Sequence, residues 1–193
     1  MTTDPSYGYN AITEQYIAAR SPSGKAIIEQ WASGLAPESR LIDIGAGFGE
    51  PVMPILIKAK LSVWAIDAAP RMVAEFRKRF PDIEIACETV EESPFFNQTF
   101  DAALAIGLIF LLPEAKQSAL IRRISESLKP GGRFLFSAPL QAGAWQDVLT
   151  KQTSYSLGQE AYERLLRENR FLLLSHHSDA GGTNYYDVVR AED

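Results

Sequence analysis

Apolar and polar positions follow two rhythms along this chain, and the switches between them mark its elements. Ile27, Trp31 and Leu35 recur at i, i+4 and i+8, a helical stripe over residues 23–35 that Gly34, Pro37 and Ser39 bring to an end. Leu41-Ile42-Asp43-Ile44 is a short apolar strand, closed by glycines at 45, 47 and 49, with Pro51 placed to open another helix. Met53, Ile55, Leu56 and Ile57 make that helix apolar nearly all round, as packing on a sheet requires. Residues 62–67 form a second strand ending in an acid. Residues 70–80 are a helix with Met72, Val73, Phe76 and Phe80 inward and Arg71, Lys78 and Arg79 in solvent. Residues 83–87 alternate as a third strand, and the unbroken apolar run 100–107 suits a strand covered on both faces.

The same rhythms continue to the end. Leu120, Ile121, Ile124 and Leu128 give an amphipathic helix over 113–128, with Lys116, Arg122 and Arg123 outside. Lys129-Pro130-Gly131-Gly132 stops it, and residues 133–137 are a fifth strand. Residues 139–156 read as a long connection, and a connection of that length in a compact domain tends to carry function. Ser156 and Gln159 stand at capping-box spacing ahead of a helix whose inner face holds Leu157, Ala161, Tyr162, Leu165 and Leu166. Residues 171–174 and 185–189 are two strands joined through Asp179-Ala180-Gly181-Gly182. Strand and helix alternate, so the expected fold is α/β, a doubly wound and mostly parallel sheet with helices on both faces and a ligand crevice at the strand C-termini.

Composition narrows the classes. At 193 residues and 46% hydrophobic the chain is one domain, 1–193, with ample material for a core. A formal charge of −5 argues against a nucleic-acid partner. The single Cys87 rules out an internal disulfide, fits a reducing cytoplasm, and reads as a small buried apolar residue. The N-terminus lacks the basic and apolar stretches of a signal peptide, and the longest apolar run, 102–112, is too short to span a bilayer. A cytoplasmic protein with no membrane partner is expected.

The candidate chemistry starts at Gly45, Gly47 and Gly49, where positive φ and close backbone approach are both available. The dinucleotide fingerprint G-x-G-x-x-G would need a third glycine where Glu50 stands, a carboxylate beside phosphates. The observed G-x-G-x-G, with Asp43 two residues before it, resembles motif I of the class I S-adenosylmethionine-dependent methyltransferases. Asp67, 18 residues past the last glycine, can accept both hydrogen bonds of a ribose diol in either kind of nucleotide site. The phrase Leu128-Lys129-Pro130-Gly131-Gly132-Arg133-Phe134-Leu135-Phe136 is the second piece of the resemblance, and Phe100-Asp101 resembles the start of that family's fourth strand.

The resemblance covers residues 40–139 well and the remainder loosely. It implies a seven-stranded sheet of order 3-2-1-4-5-7-6, divided as an N-terminal helical lid (1–38), a cofactor-binding core (39–139) and a substrate-side loop, helix and terminal hairpin (140–193). It implies S-adenosylmethionine as cofactor, S-adenosylhomocysteine as product, and no metal. Tyr16 and Arg20 would cover the cofactor, Asp43 would meet its ammonium, and Gly45, Ala46, Gly47 and Gly49 its methionine part. Asp67 would hold the ribose, Thr89 and Val90 the adenine, Gly107 and Leu108 would flank the sulfonium, and Ala68 and Met72 would also bind the cofactor. Thr89 stands where the family has an Asp, and residues 106–110 offer no polar side chain. That absence disfavours base-type amine chemistry at this spot.

Trp145, Tyr155 and Tyr185 are the expected acceptor-binding residues, and Asp147 and His176 the candidate bases. His176 and His177 are neighbours on a strand and point to opposite faces, so they cannot share a metal. The expected activity is methyl transfer to a small-molecule acceptor by a monomer or homodimer. An NAD-dependent oxidoreductase, a non-catalytic cofactor-binding regulator and an aminopropyl transferase are the rival readings.

Overall fold

The computed structural model describes residues 4–21 and 24–192. The predicted helix start at Ser23 and the leader reading at Met1 lie outside the described residues. In chain order the elements are α1 (Thr13–Ala19), α2 (Lys25–Ser33), β1 (Arg40–Ile44), α3 (Val52–Lys58), β2 (Ser62–Asp67), α4 (Pro70–Arg79), β3 (Glu84–Cys87), β4 (Phe100–Ala105), α5 (Glu114–Ser127), β5 (Leu128–Ser137), β6 (Gly143–Gln146), β7 (Thr153–Ser156), α6 (Gln159–Glu168), β8 (Phe171–Ser178) and β9 (Asn184–Arg190). Short 3₁₀ turns lie at Phe95–Asn97 and Ile109–Leu111.

Seven strands form one sheet in the order β3-β2-β1-β4-β5-β9-β8. Pairing is parallel from β3 to β5 and antiparallel from β5 through β9 to β8. This is the expected 3-2-1-4-5-7-6 topology, renumbered because an extra two-stranded hairpin, β6–β7, intervenes. That hairpin occupies the stretch read as an open connection. Its four β6 residues are all exposed, so no apolar alternation was there to betray a strand.

Two cores flank the sheet. Ile42, Ile44, Ala103 and Phe136 pack under α5 and α6, while Leu41, Ala102, Leu104 and Leu135 pack under α2, α3 and α4. Period-2 alternation along β1 therefore turns Asp43 to the same face as Leu41, beneath α3. On α2 the buried residues are Ile28, Trp31 and Ala32; Ile27 and Leu35 pack only partly. The predicted capping box is absent: α6 begins after Gly158, and Ser156 instead donates to Pro139 O at 3.0 Å and accepts from Gly158 N at 3.1 Å. Cys87 is exposed, a correction that follows from its place at the tip of the outer strand β3.

Candidate functional site

The parallel strands β1, β2 and β4 end side by side, and the turn after β1 crosses their tips. Gly45 and Ala46 donate to Ile66 O at 2.9 and 3.1 Å, which ties the turn to β2. All three glycines have positive φ, +76°, +58° and +91°, and each is needed for a different reason. A Cβ on Gly49 would lie 2.5 Å from the Phe80 ring, so this glycine serves packing and does not line the crevice, which corrects its assignment to the cofactor. A Cβ on Gly45 would touch Leu108 at 3.2 Å. A Cβ on Gly47 would meet nothing within 4 Å, and the same holds for Gly107 at the end of β4; both border open space.

Two acids converge beneath this turn. Asp67 accepts from Gly47 N and from Ala69 N, each at 2.8 Å, so it braces the turn against β2. Burial pushes its carboxyl up, and those two backbone donors pull it down. Asp43 is 2% exposed, and its Oδ2 has no hydrogen-bond partner. Burial, then the charge of Asp67, push its carboxyl up to about 7, with Arg20 pulling it down. A buried carboxylate oxygen without a donor is costly unless a cation arrives to use it.

Above the turn, α1 and the segment before it form a cover. The Tyr16 ring meets Tyr9 edge-on at 5.2 Å and Phe48 at 6.1 Å, and the Arg20 guanidinium lies 5.7 Å from the Tyr16 ring centre. Arg71 of α4 anchors this segment, pairing with Glu14 at 2.7 Å and donating its backbone N–H to Asn10 at 2.9 Å.

The crevice so enclosed, counted with the open solvent at its mouth, has about 710 Å³ of non-atom space. Of the residues assigned to the cofactor, Tyr16, Gly45, Gly47, Asp67, Ala68, Met72, Thr89, Val90, Gly107 and Leu108 line it. Arg20, Asp43 and Ala46 line a narrower extension that shares Tyr16, Gly45 and Gly47 with the main space. Sequence reasoning missed Ser6, Tyr7 and Tyr9, which also line the crevice, together with Leu111 and Leu112; Glu88 and Glu91, the acids that could stand in for the family's Asp, and Ile106 line it too. The terminal tyrosines had a signal, an aromatic cluster near the chain start, but it pointed equally to a terminus pinned on the body. Thr89 holds its own turn: its hydroxyl accepts from Glu92 N at 3.2 Å. Glu91 pairs with Lys116 at 2.7 Å.

The residues expected on the acceptor side fall differently. Tyr185 is buried in the core under α2, and its hydroxyl donates to Asp179 at 2.9 Å; it does not reach the crevice. His176 bonds Glu163 at 3.1 Å and stacks edge-on against Tyr186 on the outermost strand. Three strand spacings, about 14 Å, separate β8 from β4, so His176 is not placed to act as a base there. Asp147 Oδ1 accepts from Leu149 N, Thr150 N and Thr150 Oγ1, and Oδ2 accepts from the Tyr9 hydroxyl at 3.4 Å. It caps a turn and latches the hairpin to the cover, which corrects its reading as a free base. Trp145 packs on the Phe110 ring, 5.8 Å between centres, the Tyr155 carbonyl accepts from Gln117, and neither Trp145 nor Tyr155 lines the crevice or its extension. Among the described residues no cluster of three or more His, Cys, Asp or Glu side chains could hold a metal ion, and no helix is long and apolar enough to cross a membrane.

Comparison with known proteins agrees with this geometry. Residues 41–132 match the family described as "Methyltransferase domain". The chain is 32% identical over 124 residues to a demethylmenaquinone methyltransferase of Renibacterium salmoninarum, covering 62% of this chain and 50% of that protein. It is 26% identical over 149 residues to a sarcosine/dimethylglycine N-methyltransferase of Halorhodospira halochloris, covering 71% of this chain and 53% of that protein. The chain thus spans about half the length of the curated relatives it matches. Among solved structures, the 1,6-didemethyltoxoflavin-N1-methyltransferase of Burkholderia thailandensis superposes with a TM-score of 0.71 at 16% identity, covering 100% of this chain and 92% of that one. At that identity the likeness speaks for the fold.

Proposed function

Since the chain belongs to the class I S-adenosylmethionine-dependent methyltransferase family, we propose that it binds S-adenosylmethionine in the crevice and directs methyl transfer to a small-molecule acceptor. The observation that carries this reading is the partnerless Oδ2 of Asp43, buried where the glycine turn leaves room for a ligand. A ligand with an ammonium satisfies that oxygen, and its carboxylate suits Arg20 beside it. A pyrophosphate would add negative charge next to Asp43, Asp67 and Glu50, which disfavours a nicotinamide dinucleotide.

When bound, S-adenosylmethionine would supply a methyl group on a sulfonium, electrophilic enough to be taken without covalent help from the protein. The work left to this chain is binding and alignment. Asp43 and Arg20 would hold the amino-acid end and Asp67 the ribose hydroxyls. Thr89 and Val90 would border the adenine, and Gly107 and Leu108 the reacting carbon. Tyr9 and Tyr16 would close the site and exclude water. The relatives at 26% and 32% identity, a sarcosine/dimethylglycine N-methyltransferase and a demethylmenaquinone methyltransferase, support a small acceptor.

Titration calorimetry tests the cofactor: S-adenosylhomocysteine should bind with release of heat and NAD should not. A chain that binds S-adenosylhomocysteine yet transfers no label from methyl-labelled cofactor to any amine, phenol, thiol or carboxylate would be a binding protein instead.

A further inference from the structure

The segment before α1 is braced within itself and tied down at three places. Asp4 accepts from Ser6 N, Ser6 Oγ and Gly8 N at 2.9, 2.7 and 3.0 Å, and the Ser6 hydroxyl accepts from Asn10 N at 3.1 Å. Residues 4–10 thus hold one compact turn, and Ser6, Tyr7 and Tyr9 present it to the crevice. Asn10 ties it to Arg71 of α4, and the Lys116 ammonium of α5 donates to the Tyr7 hydroxyl at 3.4 Å. The third tie runs to the β6–β7 turn.

That third tie starts outside the crevice, since neither Asp147 nor Thr150 lines it or its extension. The hairpin turn is well fixed there: Leu149 N, Thr150 N and Thr150 Oγ1 all donate to Asp147 Oδ1, which leaves Oδ2 to the Tyr9 hydroxyl. Gly8, with φ +88°, lets the segment lie against this turn, because a Cβ there would stand 3.1 Å from Thr150 Cβ. Burial, then the Asp147 charge, push the Tyr9 phenol upward, so it keeps its proton and stays a donor. The Tyr9–Asp147 bond, at 3.4 Å, is longer than the ~2.7–2.8 Å usual for O–H···O, so it has slack to take up when a ligand fills the space below. Gln117 anchors the hairpin in turn, donating to Leu112 O on the crevice wall and to Tyr155 O on β7. Crevice wall, hairpin and cover are therefore joined in a closed circuit.

Resting on the cofactor reading above, we infer that Asp147 is a positioning residue, which sets cofactor affinity from outside the crevice by holding Tyr9 over the bound molecule. Tyr9 is the side chain that meets the ligand, and Asp147 acts through it. The coupling is reciprocal: whatever factor the contact adds to the affinity, the ligand adds to the contact. Because Asp147 also caps its own turn, closing the tie on a ligand stiffens the hairpin.

The test uses the whole chain and S-adenosylhomocysteine. Tyr9→Phe keeps the ring and loses the tie; Asp147→Ser keeps a turn-capping oxygen and is too short to reach Tyr9. Each should raise the Kd about three- to tenfold. The double variant should be no weaker than either single one, because both remove the same contact. Asp147→Asn keeps the capping oxygen and offers an amide N–H to the Tyr9 oxygen, so its Kd should return to within about twofold of the unaltered chain. Bound S-adenosylhomocysteine should slow hydrogen exchange of the Leu149 and Thr150 amides in the unaltered chain and not in Tyr9→Phe, which a merely structural cap would not do. An unchanged Kd in Tyr9→Phe, additive losses in the double variant, no recovery in Asp147→Asn, or equal protection in both chains overturns the inference and leaves the cofactor site standing. Failure of the unaltered chain to bind S-adenosylhomocysteine overturns both.

Discussion

Asp43 carries more of the site's physics than any other single residue. In the ligand-free fold its carboxyl is pushed up to about 7, first by burial and then by Asp67. The unfolded chain loses that proton near the ordinary carboxylate value, so between roughly pH 4 and 7 the folded state holds more protons than the unfolded one. Stability of the free protein therefore falls as pH rises through that window, by on the order of 4 kcal/mol at most. Asp43→Asn should flatten the pH dependence of denaturant unfolding between pH 4 and 7. A ligand ammonium needs the ionised form, so S-adenosylhomocysteine should bind more tightly as pH rises toward and past 7, releasing a proton. The same Asn variant should weaken binding by about 1.5–3 kcal/mol, read by calorimetry in buffers of different ionisation heat. Asp43 and its spacing from the glycines were visible in the sequence; its lack of a partner was not, because burial and hydrogen bonding come from residues far along the chain.

At the scale of elements, the β6–β7 hairpin is seated by one fully buried side chain. Gln117 of α5 donates to Leu112 O at 2.8 Å and Tyr155 O at 2.9 Å, and accepts from the Tyr162 hydroxyl at 2.7 Å. It joins the crevice wall, the hairpin and α6 through a single amide. Gln117→Leu keeps the volume but strands three polar groups, and should cost about 3 kcal/mol in chemical denaturation. It should also speed hydrogen exchange in β7 while leaving exchange in β1 slow. Nothing in the periodicity foretold this, since Gln117 on an amphipathic helix looks like any polar surface position. The missed hairpin has the same cause: β6 buries nothing, and its strands are defined by backbone pairing and by a turn that Asp147 caps.

Across the whole molecule, Asp187 on β9 holds the chain's two ends together. It accepts from Trp31 Nε1 of α2 at 3.2 Å and pairs with Arg133 of β5 at 2.5 Å, while 7% exposed. Asp187→Ala leaves Arg133 and the indole N–H without their acceptor, and should cost about 3 kcal/mol or more. Thermal unfolding should show that loss, and Asp187→Asn, which keeps one acceptor oxygen, should recover part of it.

The strand–helix alternation, the glycine turn with Asp43 and Asp67, and the Lys129–Gly132 stop were legible because they depend on neighbours in sequence: period, turn chemistry and apolar run length act over a few residues. Those local rules marked most of the elements and the glycine turn that borders the crevice, while the strand order, which backbone pairing bears out as β3-β2-β1-β4-β5-β9-β8, was expected from the family resemblance. Only the tertiary structure decided that Tyr9 belongs to the crevice, that Tyr185 and His176 do not, and that Asp147 is a latch. A side chain's partners are set by which strand tips and loops converge in space, and the contact between Tyr9 and Asp147 joins segments 138 positions apart.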